Sequence, residues 1–297
     1  MSKYHGLLLV NKPTGCTSHD VVSRVRKIFQ TKEVGHSGTL DPLASGLMVL
    51  LLGEATKLSS YITEGHKCYR VDIKLGVTTD TLDTTGIILT ENLVQATMKQ
   101  VIEEALKLTG EMKLPIPLYS AKKIDGKKLY EYARENEAVL IPEKKMIFWG
   151  IQNRSTEQTI SFEVSCSKGS FIRSWVKLLG EKLGCGATMS GLVRLSSHQQ
   201  TLENALDLEN LSLSQNLSRH LISINEALPE VKKIKILGQD LKLLKNGQIS
   251  HDLRARLIMI FKPETDQYVQ IIDSDLKLVS IVGIEAGKGF SIRRVFN

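Results

Sequence analysis

The chain has 297 residues, 42% hydrophobic and 24% charged, a balance that fits a soluble globular protein with one large domain and a smaller one. Its four cysteines (Cys16, Cys68, Cys166, Cys185) are widely spaced, without a C-x-x-C pair or clustered histidines, which argues against a disulfide framework or a zinc site and for a reducing, cytoplasmic setting. The net charge is +7, and residues 230–297 carry 12 Lys and Arg against 8 Asp and Glu, a bias that favours a polyanionic partner over a small acidic substrate.

The opening MSKYHGLLLVNKP holds an apolar run too short for a signal-peptide core, and Leu47 to Leu52 falls far below the roughly 18 apolar residues of a membrane span. Leu7 to Val10 reads as a short buried strand. After a Pro-Thr-Gly turn a helix is expected, with Ser18 as N-cap and Val21, Val22, Val25 and Ile28 as its apolar stripe. Tyr69 to Leu75 alternates as a strand and then gives way to a polar Thr/Asp loop. Residues 96–109 have helical periodicity. From Pro115 to Trp149 prolines, lysines (KKIDGKK) and aromatics interleave, the texture of an inserted loop with one short helix near Leu129 to Glu135. A strand, a glycine turn and an amphipathic helix ending at Gly184 follow, and beyond Pro229 several short strands separated by turns predict a small β domain.

The segment GHSGTLDPLASGLMVLLLG joins a small, polar turn to a core-like run, with Asp41 locked against Pro42. Asp-Pro is common turn punctuation; it is also where a carboxylate can stand on a rigid turn, with glycines before it that let a substrate approach. Gly35 and Gly38 fit neither phosphate-loop spacing, His36 lacks a second metal ligand, and in TDTLDTTG Asp80 and Asp83 are three apart with no Glu where a calcium loop needs one. The insert reads equally as a solvated loop or as a clamp of lysines for phosphates and rings for bases.

Taken in order, these segments resemble the TruB family of bacterial tRNA pseudouridine synthases, which isomerise uridine at position 55 in the T loop of tRNA. LLLVNKPTGCTSHDVV, GHSGTLDPLASGLMVLLLGEATKL, CYRVDIKLGVTTDTLDTTG, YSAKKIDGKKLYEYAR and CSKGSFIRSWVKLLGEKLGCGATMSGLVRL match successive family motifs. The resemblance implies an α+β fold, a mixed sheet flanked by helices in residues 1–228, with an RNA-gripping insert at about 115–146 and a small PUA-like β domain in residues 229–297. It also implies Asp41 as catalytic carboxylate, Arg173 as its partner and Tyr69 as a ring against the base, or the group that removes a proton from C2′. His36 would fill the space left by a flipped-out uridine, Phe171 and Leu192 would line the pocket, and Lys12, Lys57 and Asp83 match further substrate-site positions. No metal or cofactor is implied, and the partner is the tRNA T stem-loop, met by a monomer without an obligatory protein partner. Asn11 and Phe171 stand where the family often has Asp and Tyr. Two other readings share the motifs: a tRNA-folding protein with incidental catalysis, and a guide-RNA-dependent relative.

Overall fold

A computed structural model describes residues 3–135, 137–285, 287 and 289–296. Its centre is a mixed sheet whose long strands are, in chain order, β1 (Gly6–Lys12), β3 (Ser45–Leu52), β4 (Lys67–Leu75), β5 (Gly110–Pro115), β6 (Glu143–Asn153), β7 (Ile160–Cys166) and β8 (Ala187–Ser197), with a short β2 (Val34–His36) beside β3. In space the order is β1, β3, β8, β4, β7, β6, β5. Only β3 and β8 run parallel among these neighbours.

β3 is apolar without alternation because both of its faces are covered. Met48, Leu50 and Leu52 join a core with α1 (Ser18–Ile28), α2 (Met98–Lys107) and α4 (Ile172–Lys182), which pack on one side of the sheet. Leu47, Val49 and Leu51 face a second core completed by Ala227, Leu228, Leu278, Ile281 and Phe296. The C-terminal unit therefore roofs the back of β1 and β3.

The edge of β3 away from β1 is forked. At one end Leu50 to Leu52 pair with β2, and at the other Ser45 and Gly46 pair with β8, so the ladder opens between them. The loop of residues 37–44 enters at this opening, where Ser37 N donates to Val49 O (3.0 Å).

Three local expectations need correction. The N-cap of α1 is Thr17, which forms a reciprocal capping box with Asp20; Ser18 is buried one position later. The segment from Glu143 through Trp149 belongs to the central sheet as β6, so the inserted loop ends before it and contains a two-residue ribbon (Lys123–Ile124 with Lys127–Lys128) and α3 (Leu129–Arg134). The C-terminal unit has the expected small sheet, of β9 (Lys233–Lys235), β10 (Tyr268–Ile272), β11 (Leu278–Glu285) and β12 (Gly289–Val295), but two helices, α5 (Gly238–Lys245) and α6 (His251–Ile260), lie between its strands where only turns were expected. Asn246 caps the C-terminal end of α5.

Candidate active site

Asp41 lies in the loop between β2 and β3, and four elements hold that loop by its backbone. Ser18 Oγ, in the first turn of α1, accepts from Leu40 N (2.8 Å) and donates to Leu40 O (2.9 Å). Lys12, fully buried, donates from Nζ to Ala44 O (2.7 Å), Pro13 O (3.0 Å) and Pro42 O (3.5 Å). Gly15 N donates to Pro42 O at 2.8 Å. Arg194 on β8 reaches through the fork: Nε donates to Leu47 O (2.6 Å), Nη2 to Gly38 O (3.1 Å) and Nη1 to Thr39 O (3.4 Å). Such charge-assisted bonds to carbonyls let a buried cation be tolerated and fix its carbonyl partners at the same time.

The Asp41 carboxylate meets Arg173, in the first turn of α4, at 2.9 Å between Oδ2 and Nη2. The arginine side chain is only 6% exposed and the aspartate 38%, so the pair stands at the wall of a cleft, with the acid on the open side. Among the described residues no donor engages Asp41 Oδ1, which remains available to a substrate. Arg173 is aimed by Nη1 to Thr81 O (2.8 Å) and Nη2 to Tyr119 O (3.0 Å), with Asp83 Oδ2 at 3.9 Å from Nη1. Asp83 is buried and its Oδ1 accepts from Thr85 N (3.0 Å), Thr85 Oγ1 (2.5 Å) and Thr81 Oγ1 (2.9 Å). It supports the arginine from behind and does not line the cleft.

The cleft is a cavity of about 380 Å³, within the range of small-ligand sites. Tyr69, Phe171, Leu192 and Ile116 give it apolar walls beside Asp41. Arg194 pairs directly with Tyr69 across β8 and β4, and Leu192 with Val71, so these side chains share one face of the sheet. Burial pushes the Tyr69 phenol up, so it is protonated at neutral pH. Lys67, also on this face, donates to Gly65 O (2.6 Å) and Thr63 O (3.1 Å); burial and then the Arg194 charge push its ammonium down to about 8.

The structure thus gathers Asp41, Tyr69, Arg173, Phe171 and Leu192, with Asp83 behind Arg173. Lys12 is spent on backbone carbonyls beneath the loop. His36, the last residue of β2, is half-buried one residue before the cavity wall begins at Ser37; burial and then Arg194 push its imidazole down. Lys57 is elsewhere: it donates to Val295 O (2.9 Å) in the C-terminal unit and pairs with Glu54 (2.5 Å). Sequence reasoning overlooked Arg194, Lys67 and Ser18. The available signal for Arg194 was its spacing of two from Leu192 on a strand, which puts both on one face.

The architecture has known counterparts. A solved Cbf5-Nop10-Gar1 complex matches with a TM-score of 0.70 at 22% identity, covering 100% of this chain and 85% of the other. An H/ACA RNP bound to a substrate RNA containing 2′-deoxyuridine matches with a TM-score of 0.69 at 20% identity, covering 99% and 85%. At such identities the likeness establishes the fold. A family model described as "TruB family pseudouridylate synthase (N terminal domain)" matches residues 26–172. The tRNA pseudouridine synthase B of Bdellovibrio bacteriovorus is 51% identical over 301 residues, covering 99% of this chain and 98% of its own. That of Clostridium acetobutylicum is 36% identical over 288 residues, covering 97% and 98%. The molecule is a pseudouridine synthase, an isomerase. More narrowly, the chain belongs to the TruB family.

Proposed function

We propose that this chain converts uridine to pseudouridine at position 55 in the T loop of tRNA, with Asp41 as the catalytic carboxylate. The observation that carries the reading is the Asp41 and Arg173 pair at the wall of a cavity of about 380 Å³ with Tyr69 and Leu192 beside it. Near-full-length relatives named tRNA pseudouridine synthase B support the tRNA substrate.

The reaction breaks the N1 to C1′ bond, turns the uracil and rejoins C1′ to C5; N1 gains a proton and C5 loses one, so the product is an isomer. A uridine inside the T loop must be flipped out, at a cost of roughly a few kcal/mol in lost stacking. His36, the residue before Ser37 of the cavity wall, takes the vacated space. The uracil lies against Tyr69, Phe171 and Leu192. Asp41 acts on the sugar through its unengaged Oδ1 while Arg173 holds Oδ2, either by adding to C1′ or by stabilising a glycal-forming departure of the base. Burial of the Tyr69 phenol disfavours its phenolate, which supports a stacking role over proton abstraction. Phe171 lacks the hydroxyl common in the family, so at this position the pocket offers an apolar ring alone. The catalytic unit spans residues 1–228, and residues 229–297 form a PUA-like unit that adds RNA contacts; the enzyme works as a monomer on the T stem-loop.

The test is chemical mapping of pseudouridine in tRNA after incubation with purified enzyme. Asp41→Asn is expected to lower turnover by about 10³-fold or more while tRNA affinity changes little. Substantial turnover by the variant would remove Asp41 from the catalytic role, and modification at another uridine would refute the position.

A further inference from the structure

The rim of the same cavity carries three lysines that converge from separate parts of the chain: Lys122 from the insert, Lys144 from β6 and Lys168 from the glycine turn before α4. Neighbouring lysines are neutralised. Lys113 and Lys145 meet Glu143 and Glu111 at 3.1 and 2.9 Å across β5 and β6, and Lys127 is held by Glu135 and Glu137. Among the described residues no carboxylate forms an ion pair with Lys122 or Lys144.

Lys144 is nonetheless half-buried, its Nζ donating to Gly169 O (2.9 Å) and Lys168 O (3.5 Å). Burial, then Lys122 and Lys168, push its ammonium down, as expected of a half-buried cation with two others nearby. Gly169 has a φ of +71°, a conformation that favours glycine, and its bare Cα lets Lys144 Nζ lie close against the turn. Lys168 is paired with Glu64, but at 44% and 63% exposure such a pair contributes little and exchanges cheaply for a better anion. A base edge presents both donors and acceptors, whereas these side chains offer donors alone.

We propose that Lys122, Lys144 and Lys168 form a phosphate subsite that takes a backbone phosphate adjoining the uridine in the cavity. This rests on the reading of the cavity as the uridine site. The subsite fixes the strand beside the flipped nucleotide, while the Asp41 and Arg173 pair deals with the sugar. It also redistributes the expected clamp: Lys127 is occupied by acids and Lys128 donates to Tyr130 Oη (3.1 Å), so of the insert's lysines Lys122 is the one at the cavity.

The experiment uses the full chain and a T stem-loop RNA carrying one neutral 2′-deoxy methylphosphonate linkage, with the matching 2′-deoxy phosphodiester as control. For wild type, neutralising a linkage adjoining the target uridine should weaken binding about fivefold or more, and the slope of log affinity against log salt should drop by about 0.7. Lys144→Gln should bind the control RNA with that same shallower slope and suffer no further loss from the neutral linkage; Lys144→Arg should restore the penalty. Lys122→Gln, at an exposed position, gives the same comparison if Lys144→Gln fails to fold. Equal penalties in wild type and both glutamine variants at every linkage overturn the subsite and leave the uridine reading standing. A wild type that leaves the T-loop uridine of the unmodified RNA unconverted overturns that reading and the subsite with it.

Discussion

Asp41 and Lys67 show how one pocket treats opposite charges. The acid keeps an exposed flank and a strong partner, so its charge is both supported and usable. Lys67 is buried beside Arg194 and Lys168, with Glu64 and the Cys166 thiol as the opposing groups, and it holds its proton only up to about 8 against an ordinary 10.5. Below pH 8 both folded and unfolded chains carry that proton. Between pH 8 and 10.5 the unfolded chain binds more protons, so the contribution of this group to the unfolding free energy rises with pH. Urea denaturation of wild type and Lys67→Gln should therefore differ most at pH 7 to 8 in the sense that favours the variant's missing charge, with wild type gaining relative to the variant as pH is raised from 8 to 9. A constant difference across that interval would show that the lysine does not titrate there. The window stops at 9 because burial pushes the Cys166 thiol up to about 12, and the unfolded chain losing its thiol proton first works in the opposite direction above that pH.

At the scale of elements, the close approach of β3 and β8 depends on Gly46. Its φ is +99°, and a Cβ would stand 2.5 Å from Arg194 O and 2.7 Å from Arg194 N, both backbone atoms that cannot step aside. Gly46→Ala should destabilise the protein by about 4 kcal/mol or more, read as a lowered denaturation midpoint or loss of soluble protein. A midpoint within a few degrees of wild type would mean that the two strands can separate. The pattern of legibility in the sequence follows the same physics. Strands β1 and β4, α1, α2 and α4 announce themselves because each buries one face or runs apolar throughout, and the Asp41, Tyr69 and Arg173 set came from motif resemblance. α6 has no clean stripe: Ile258 and Met259 are 66% and 84% exposed, so its periodicity is blurred. Asn-Gly, a hairpin signal, serves instead as the C-terminal stop of α5 at Asn246 and Gly247. Arg194 and Lys12 act on backbone carbonyls, which every residue possesses, so no partner residue type marks them in the chain.

For the whole molecule, the seam between the central sheet and the C-terminal sheet is an apolar core with polar ties: Lys57 Nζ donates to Val295 O, flanked by Phe296 at 5.7 Å from the ammonium, Leu278 N donates to Asn225 Oδ1 (2.6 Å), and Gln270 Nε2 donates to Leu228 O (2.7 Å). Lys57→Met should cost about 1 to 2 kcal/mol in urea denaturation and leave single-turnover conversion of the proposed tRNA substrate unchanged, since Lys57 does not line the cavity. A large loss of turnover with normal stability would return Lys57 to the substrate site. The forked edge of β3 has a further consequence. The loop that fills it is irregular in shape, yet Leu40 N is capped by a buried serine, Ala44 N is bonded to Asp41 O (3.0 Å), and its carbonyls answer to β1, β8 and the turn before α1. Opening it requires parting the strands that anchor it. In hydrogen exchange the amides of Leu40 and Ala44 should therefore be protected as long as those of β3 itself, so that a segment irregular in outline behaves, on the timescale of hours, as part of the slowest-exchanging core.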